Sequence, residues 1–159
     1  MLSIEGIPAF YIHSLLGTGN DYNKFANTNN NRAINRHNWD LQELESLLQQ
    51  DNQHARLFRQ IKTLIGIRKR QKAFHPNAIM FTLHIGDEVF AYWRQSCKRE
   101  QSIFCLNNVT GQTQQVQLST INLIADDRWV DLVTGAQITE KQKTLDLQPY
   151  QFVWLSNKV

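Results

Sequence analysis

The chain has 159 residues, 42% hydrophobic and 19% charged, and a formal net charge of +3 from 17 Lys and Arg against 14 Asp and Glu. That balance describes an ordinary globular chain, and the absence of an 18-residue apolar run or a secretory leader argues for a soluble, cytoplasmic protein with no membrane association. The length is about one to one and a half domains, enough to bury a real core but short of a complete α/β barrel of roughly 250 residues.

The first element is the run Gly6-Ile7-Pro8-Ala9-Phe10-Tyr11-Ile12-His13-Ser14-Leu15-Leu16-Gly17. Its nearly unbroken apolar character predicts a strand buried on both faces of a parallel sheet. A parallel neighbour needs a crossover of a dozen or more residues, and only Met1 to Glu5 stand before it. The expectation is therefore that the chain is the tail of a larger protein.

From Thr18 to Asn38 the sequence turns polar, with Asn at 20, 23, 27, 29, 30, 31, 35 and 38. Asn tolerates turn and left-handed conformations and competes with regular structure by bonding nearby backbone, so this stretch reads as a long, shaped loop. At the carboxyl end of a buried parallel strand, it would stand where α/β folds place their binding sites.

A helix follows, with Asp40 as its N-cap, Glu43 completing a capping box, Trp39 stapling to Leu44, and Leu41, Leu44, Leu47 and Leu48 on one face. A second helix is predicted from about Asn52 to Ala73, capped by Asp51, with Leu57, Ile61, Leu64, Ile65 and Arg68 at helical spacing. Its basic end, Arg68-Lys69-Arg70-Gln71-Lys72, reads as a solvated helix terminus rather than a nucleic-acid patch, since no aromatic-interleaved basic stripe accompanies it.

After Pro76 the period changes to about two. Strands are predicted at Ile79 to Leu83, Val89 to Trp93, Ile103 to Val109, Gln114 to Leu118, Trp129 to Val133, Thr144 to Leu147 and Phe152 to Leu155. Turn signals at Gly86-Asp87, Thr110-Gly111, Thr134-Gly135 and Pro149 space them as an antiparallel sandwich or meander. Asp126-Asp127 and Asp131 read as turn and edge residues. Cys97 and Cys105 read as buried or incidental thiols, and the scattered His13, His37, His54, His75 and His84 form no metal-ligand spacing.

Two blocks carry a resemblance. The run Gly6 to Gly17, then Asn20-Asp21, then Asn31-Arg32-Ala33-Ile34-Asn35-Arg36-His37, resembles the region of the eighth barrel strand in sucrose phosphorylase-like enzymes of the alpha-amylase superfamily, glycoside hydrolase family 13. Trp129 to Gly135 and Leu147 to Leu155 are similar to that family's closing β domain. Ile12-His13-Ser14-Leu15-Leu16 looks closest to a bacterial branch that includes phosphorylases of glucosylglycerate and of phosphorylated sucrose.

The resemblance implies an α+β fragment. Residues 1–77 would be the last strand, Asn-rich loop and helices of a (β/α)8 barrel, and 78–159 an antiparallel all-β C-terminal domain. It also implies the chemistry of a retaining glucoside phosphorylase: an Asp attacks the anomeric carbon, a Glu protonates the leaving sugar, and phosphate takes the glucosyl group, with the two carboxylates about 5 Å apart. In the family these residues, with a third Asp, lie on barrel strands four, five and seven, ahead of the matching region. The chain is then expected to hold no catalytic residue and to be inactive alone; Glu5, Asp21, Asp40 and Glu43 are no replacements.

What the resemblance leaves is part of a sugar pocket. Arg36 aligns with an arginine that holds the glucosyl unit, and Arg32, Asn35, His37 and Asp21 are further substrate-binding candidates, with Asn20-Asp21 at the entrance. Ala33 departs from the family pattern, which has Asp or Ser there. The implied partners are a glucoside and phosphate in a full-length parent, with no cofactor, no metal and no nucleic acid, and self-association through uncovered barrel surfaces. The alternative is a stand-alone accessory β domain binding carbohydrate or a protein, in which Trp93, Trp129 and Trp154 would form an exposed stacking row.

Overall fold

The computed structural model describes residues 1–121, 128–139 and 142–158, so Asp126-Asp127 lie outside the described residues. The chain divides into two compact units, Pro8–Gly66 and Met1–Ile7 with Ile67–Val159.

In the unit Pro8–Gly66, the expected buried strand is not formed. Residues 8–11 have no regular structure, Ile12–Leu16 is a short helix, α1, and Tyr11 and Ile12 are half-exposed. The reason is one of hydrogen bonding: a strand satisfies its backbone only through neighbours, Pro8 has no N–H to offer, and none of the described residues of this unit forms a strand to pair with. A helical turn satisfies the same groups locally. It closes in a Schellman motif, with Gly17 N–H on Ser14 O at 3.4 Å and Thr18 N–H on His13 O at 2.8 Å. Gly17 has φ +63°, and a Cβ there would stand 2.8 Å from Leu57 Cδ2, so glycine is required twice over.

The Asn-rich stretch contains more regular structure than expected. It holds α2 (Tyr22–Thr28) and a 3₁₀ turn at Asn31–Asn35. The asparagines act as punctuation: Asn29 ends α2 in the left-handed region, and Asn30 Oδ1 accepts from Arg32 N to start the 3₁₀ turn. Helix α3 (Leu41–Gln49) is capped as expected, Asp40 Oδ1 accepting from Gln42 N and Glu43 N. Helix α4 spans Gln53–Arg70 and stops short of Ala73, which falls in a separate 3₁₀ turn, Lys72–Phe74. Its cap is Asn52, not Asp51. Asn52 Oδ1 accepts from Ala55 N while its Nδ2 donates to Leu47 O, tying the end of α3 to the start of α4, whereas Asp51 is spent on an exposed ion pair with Arg56.

The second unit is built, among the described residues, on the seven expected strands and one further, two-residue strand, Gln137–Ile138. They are β1 (Ile79–Leu83), β2 (Val89–Gln95), β3 (Ser102–Asn108), β4 (Gln114–Gln117), β5 (Trp129–Asp131), β6 (Gln137–Ile138), β7 (Thr144–Leu147) and β8 (Phe152–Ser156). Six form an antiparallel sheet ordered β1-β2-β3-β8-β5-β6, and β4 pairs with β7 in a second, two-stranded sheet. Ala91, Phe104, Leu106, Val153, Leu155 and Trp129 of the large sheet meet Val116 and Leu147 of the small one in the core.

The opposite face is buried too, which is why β3 reads as the continuous run Ile103-Phe104-Cys105-Leu106. Phe74 packs edge-on against Trp154 there, with ring centroids 4.9 Å apart. Two arginines lie by Phe74. Arg94, fully buried, donates to Ser3 O, His75 O and Ala78 O. Arg68, also buried, donates to Leu2 O and Gly6 O, correcting its expected place on a solvated terminus. Asp131 makes the expected turn but is not at an edge, since β5 lies between β8 and β6; its buried carboxylate accepts from Val133 N, Thr134 N, Thr134 Oγ1 and Trp154 N.

Candidate functional site

The Pro8–Gly66 unit has an open cleft of about 420 Å³, lined by Thr18, Asp21, Tyr22, His37, Trp39 and His54 among others. Asp21 organises it. As N-cap of α2 it accepts from Lys24 N at 2.8 Å through Oδ1, and through Oδ2 it accepts from His37 Nδ1 at 2.9 Å. These two bonds, the backbone one first, hold the carboxyl below its ordinary 3.8, so it stays ionised and anchors the imidazole.

Behind it, Trp39 donates from Nε1 to Thr18 Oγ1 at 3.0 Å and stands edge-on to His37 and His54, at centroid distances of 4.7 and 5.9 Å. His54 Nδ1 bonds Leu16 O at 2.7 Å. A carbonyl only accepts, so Nδ1 is the donor in this bond. Aromatic faces beside a carboxylate and imidazole nitrogens suit a small polyhydroxylated ligand.

Of the five residues nominated from sequence, Asp21 and His37 line this cleft; Arg32, Asn35 and Arg36 do not. All five nevertheless belong to one local assembly. Arg36 closes the 3₁₀ turn, its carbonyl accepts from Lys24 Nζ, Asn35 O accepts from Tyr11 OH, and the side chains of Arg32 and Arg36 face solvent. Sequence reasoning missed Lys24, Thr18 and His54 and gave Trp39 only a helix staple. The one signal for Lys24 was its place three residues after a capping Asp.

The tryptophans of the β unit are not arranged as an exposed row: Trp129 and Trp154 are buried and Trp93 is half-buried, stacked between Phe81 and Phe104. Cys105 is buried and Cys97 exposed, both as free thiols. Among the described residues no group of His, Cys, Asp and Glu could hold a metal ion, and no helix is long and apolar enough to cross a membrane.

Residues 80–154 match the family model of the maltogenic amylase C-terminal domain. Along 98% of its length the chain is 30% identical to a glucosylglycerate phosphorylase of Spirochaeta thermophila and 33% identical to one of Allomeiothermus silvanus. It spans about a quarter of those curated relatives, 28% and 25% of their lengths. In fold it is similar to the crystal structure of AmyP in complex with maltose (TM-score 0.57, 18% identity, 68% of this chain and 22% of that one). It is likewise similar to an Anoxybacillus alpha-amylase (TM-score 0.57, 16% identity, 79% and 26%). The antiparallel sheet thus shares its fold with part of those two structures, while no barrel strand is formed among the described residues. The chain is similar to the C-terminal portion of sucrose phosphorylase-like enzymes of the alpha-amylase superfamily, and its residues 80–154 match the maltogenic amylase C-terminal domain.

Proposed function

We propose that this chain serves as the C-terminal portion of a retaining glucoside phosphorylase that transfers the glucosyl unit of glucosylglycerate to phosphate. The observation that supports the reading is the match of 98% of the chain to three glucosylglycerate phosphorylases, from Spirochaeta thermophila, Allomeiothermus silvanus and Escherichia coli. In this reading residues 1–77 close the catalytic barrel and 78–159 cap it. The segment Ile7 to Leu16 then gains the strand neighbours it lacks here. The same uncovered surfaces, with Ile7 84% and Leu41 67% exposed, lead the isolated chain to self-associate.

Double displacement needs a nucleophile and an acid about 5 Å apart across the bond. Asp21 is engaged as a helix cap and as the anchor of His37, so it is no free nucleophile. In the family the catalytic pair stands upstream of the matching region, and this chain supplies substrate binding: Arg36 offers a planar fork of donors to glucosyl hydroxyls, with Asp21, His37, Arg32 and Asn35 shaping the same loop.

The test has two arms. The chain alone, given glucosylglycerate and phosphate, releases no glucose 1-phosphate. A chimera in which it replaces the matching quarter of the Spirochaeta thermophila enzyme phosphorolyses glucosylglycerate with retention, and Arg36→Ala in it lowers kcat/KM by roughly 30- to 1000-fold, equivalent to about 2 to 4 kcal/mol. Turnover by the isolated chain, or a folded chimera that cleaves another glucoside in preference, overturns the reading.

A further inference from the structure

The loop segment from Ile34 to Asn38 is held by a series of bonds from the stretch just before it. Asp21 N donates to Ile34 O at 2.6 Å, Tyr11 OH to Asn35 O at 2.9 Å, and His37 Nδ1 to Asp21 Oδ2 at 2.9 Å. Lys24 makes two of these bonds with one ammonium, donating to Arg36 O at 2.5 Å and to Asn38 Oδ1 at 3.0 Å. Arg36 is therefore pinned at its backbone, while its guanidinium, exposed, has no hydrogen-bond or ion-pair partner among the described residues.

Lys24 sits in the first turn of α2, where a cation faces the positive end of the helix dipole and the acidic side chain beside it is the capping Asp21. Its ammonium turns instead to a carbonyl and an amide oxygen of the loop. Its own amide is the group capped by Asp21, so cap and clamp belong to a single turn.

We propose that Lys24 is a positioning residue for Arg36: by fixing the Arg36 carbonyl and the Asn38 side chain, it presents the guanidinium to the glucosyl hydroxyls with its backbone already ordered. This rests on the reading of Arg36 as a glucosyl-binding residue given above. An exposed arginine loses rotamer freedom when it binds, and a pinned backbone removes part of that ordering cost in advance. Misplacement of a binding group by about 1 Å is enough to cost on the order of 100-fold in rate.

The experiment compares Lys24→Met and Lys24→Arg. In the full chain, heteronuclear NMR relaxation of the 36–38 amides reports local order, and helical circular dichroism reports folding. Lys24→Met keeps the helical signal but lowers the order parameters at 36–38 from about 0.85 to below about 0.6, and Lys24→Arg, which retains cationic donors, restores them. In the chimera, Lys24→Met lowers kcat/KM about 10- to 100-fold, and Lys24→Arg recovers most of the loss. If 36–38 stay as rigid in Lys24→Met as in the original chain, the proposal is wrong. It also fails if the chimera's kinetics ignore Lys24→Met while Arg36→Ala abolishes them, an outcome that leaves the glucosyl-binding reading standing. Unchanged kinetics in Arg36→Ala overturn that reading and this proposal together.

Discussion

Asp21 and His37, 16 residues apart in sequence, share one carboxylate: Oδ1 caps α2 on Lys24 N at 2.8 Å and Oδ2 holds His37 Nδ1 at 2.9 Å. Helix start and cleft wall are therefore built on the same side chain.

This sharing sets a pH dependence. Bonds from Lys24 N, then His37, favour the ionised form, so Asp21 titrates below 3.8 in the folded unit. Its stabilising contribution is present above the unfolded value and is lost as pH falls through the lower folded value. Asp21→Asn keeps a capping oxygen but cannot titrate, so helicity should fall less steeply below about pH 4 than in the original chain. Superimposable acid titrations by circular dichroism would remove Asp21 from this role.

Arg94 is the largest polar group in the buried β unit, and its three carbonyl partners come from Ser3, His75 and Ala78. Arg94→Met leaves those carbonyls without their donor, a loss of roughly 3 kcal/mol. The urea midpoint should drop with the slope unchanged. Proteolysis within Met1 to Ile7 should accelerate in the same variant, because Ser3 loses its tether.

Asp131 divides its four bonds between its oxygens: Oδ1 accepts from Val133 N and Trp154 N, Oδ2 from Thr134 N and Thr134 Oγ1. Asp131→Ala orphans buried amides and should cost about 2 to 4 kcal/mol. Asp131→Asn keeps one accepting oxygen and should fall between the two in a thermal melt. Equal melting of the Ala and Asn variants would contradict this division.

The two thiols should react in separate phases. Burial pushes the Cys105 thiol up to about 12, while Cys97 is exposed. At about pH 8 a disulfide reagent should label one thiol at once and the second only when denaturant opens the sheet, because the thiolate is the reacting species. Fast labelling of both in the folded chain would show that β3 is accessible.

What sequence alone determined is whatever depends on near neighbours. The period of two from Ile79 onward, the turns at Gly86 and Thr134-Gly135 and the cap at Asp40 all hold, because alternation and capping are decided within a few residues. The two-residue β6 was too short to leave a period, and it exists because the Asp131 turn folds it back on β5.

Tertiary structure decided the rest. An apolar run such as Ile7 to Leu16 cannot tell a buried strand from a helix; the outcome depends on whether another strand offers hydrogen bonds, and in the Pro8–Gly66 unit none of the described residues does. Arg68 reads as part of a solvated helix terminus, and the carbonyls of Leu2 and Gly6, more than sixty residues away in sequence, receive it in a buried position. The site follows the same rule. Of the residues lining the cleft the resemblance nominated Asp21 and His37, while the pairing of those two and the reach of Lys24 to Arg36 arise where the loop folds back on α2, a closure that no local pattern encodes.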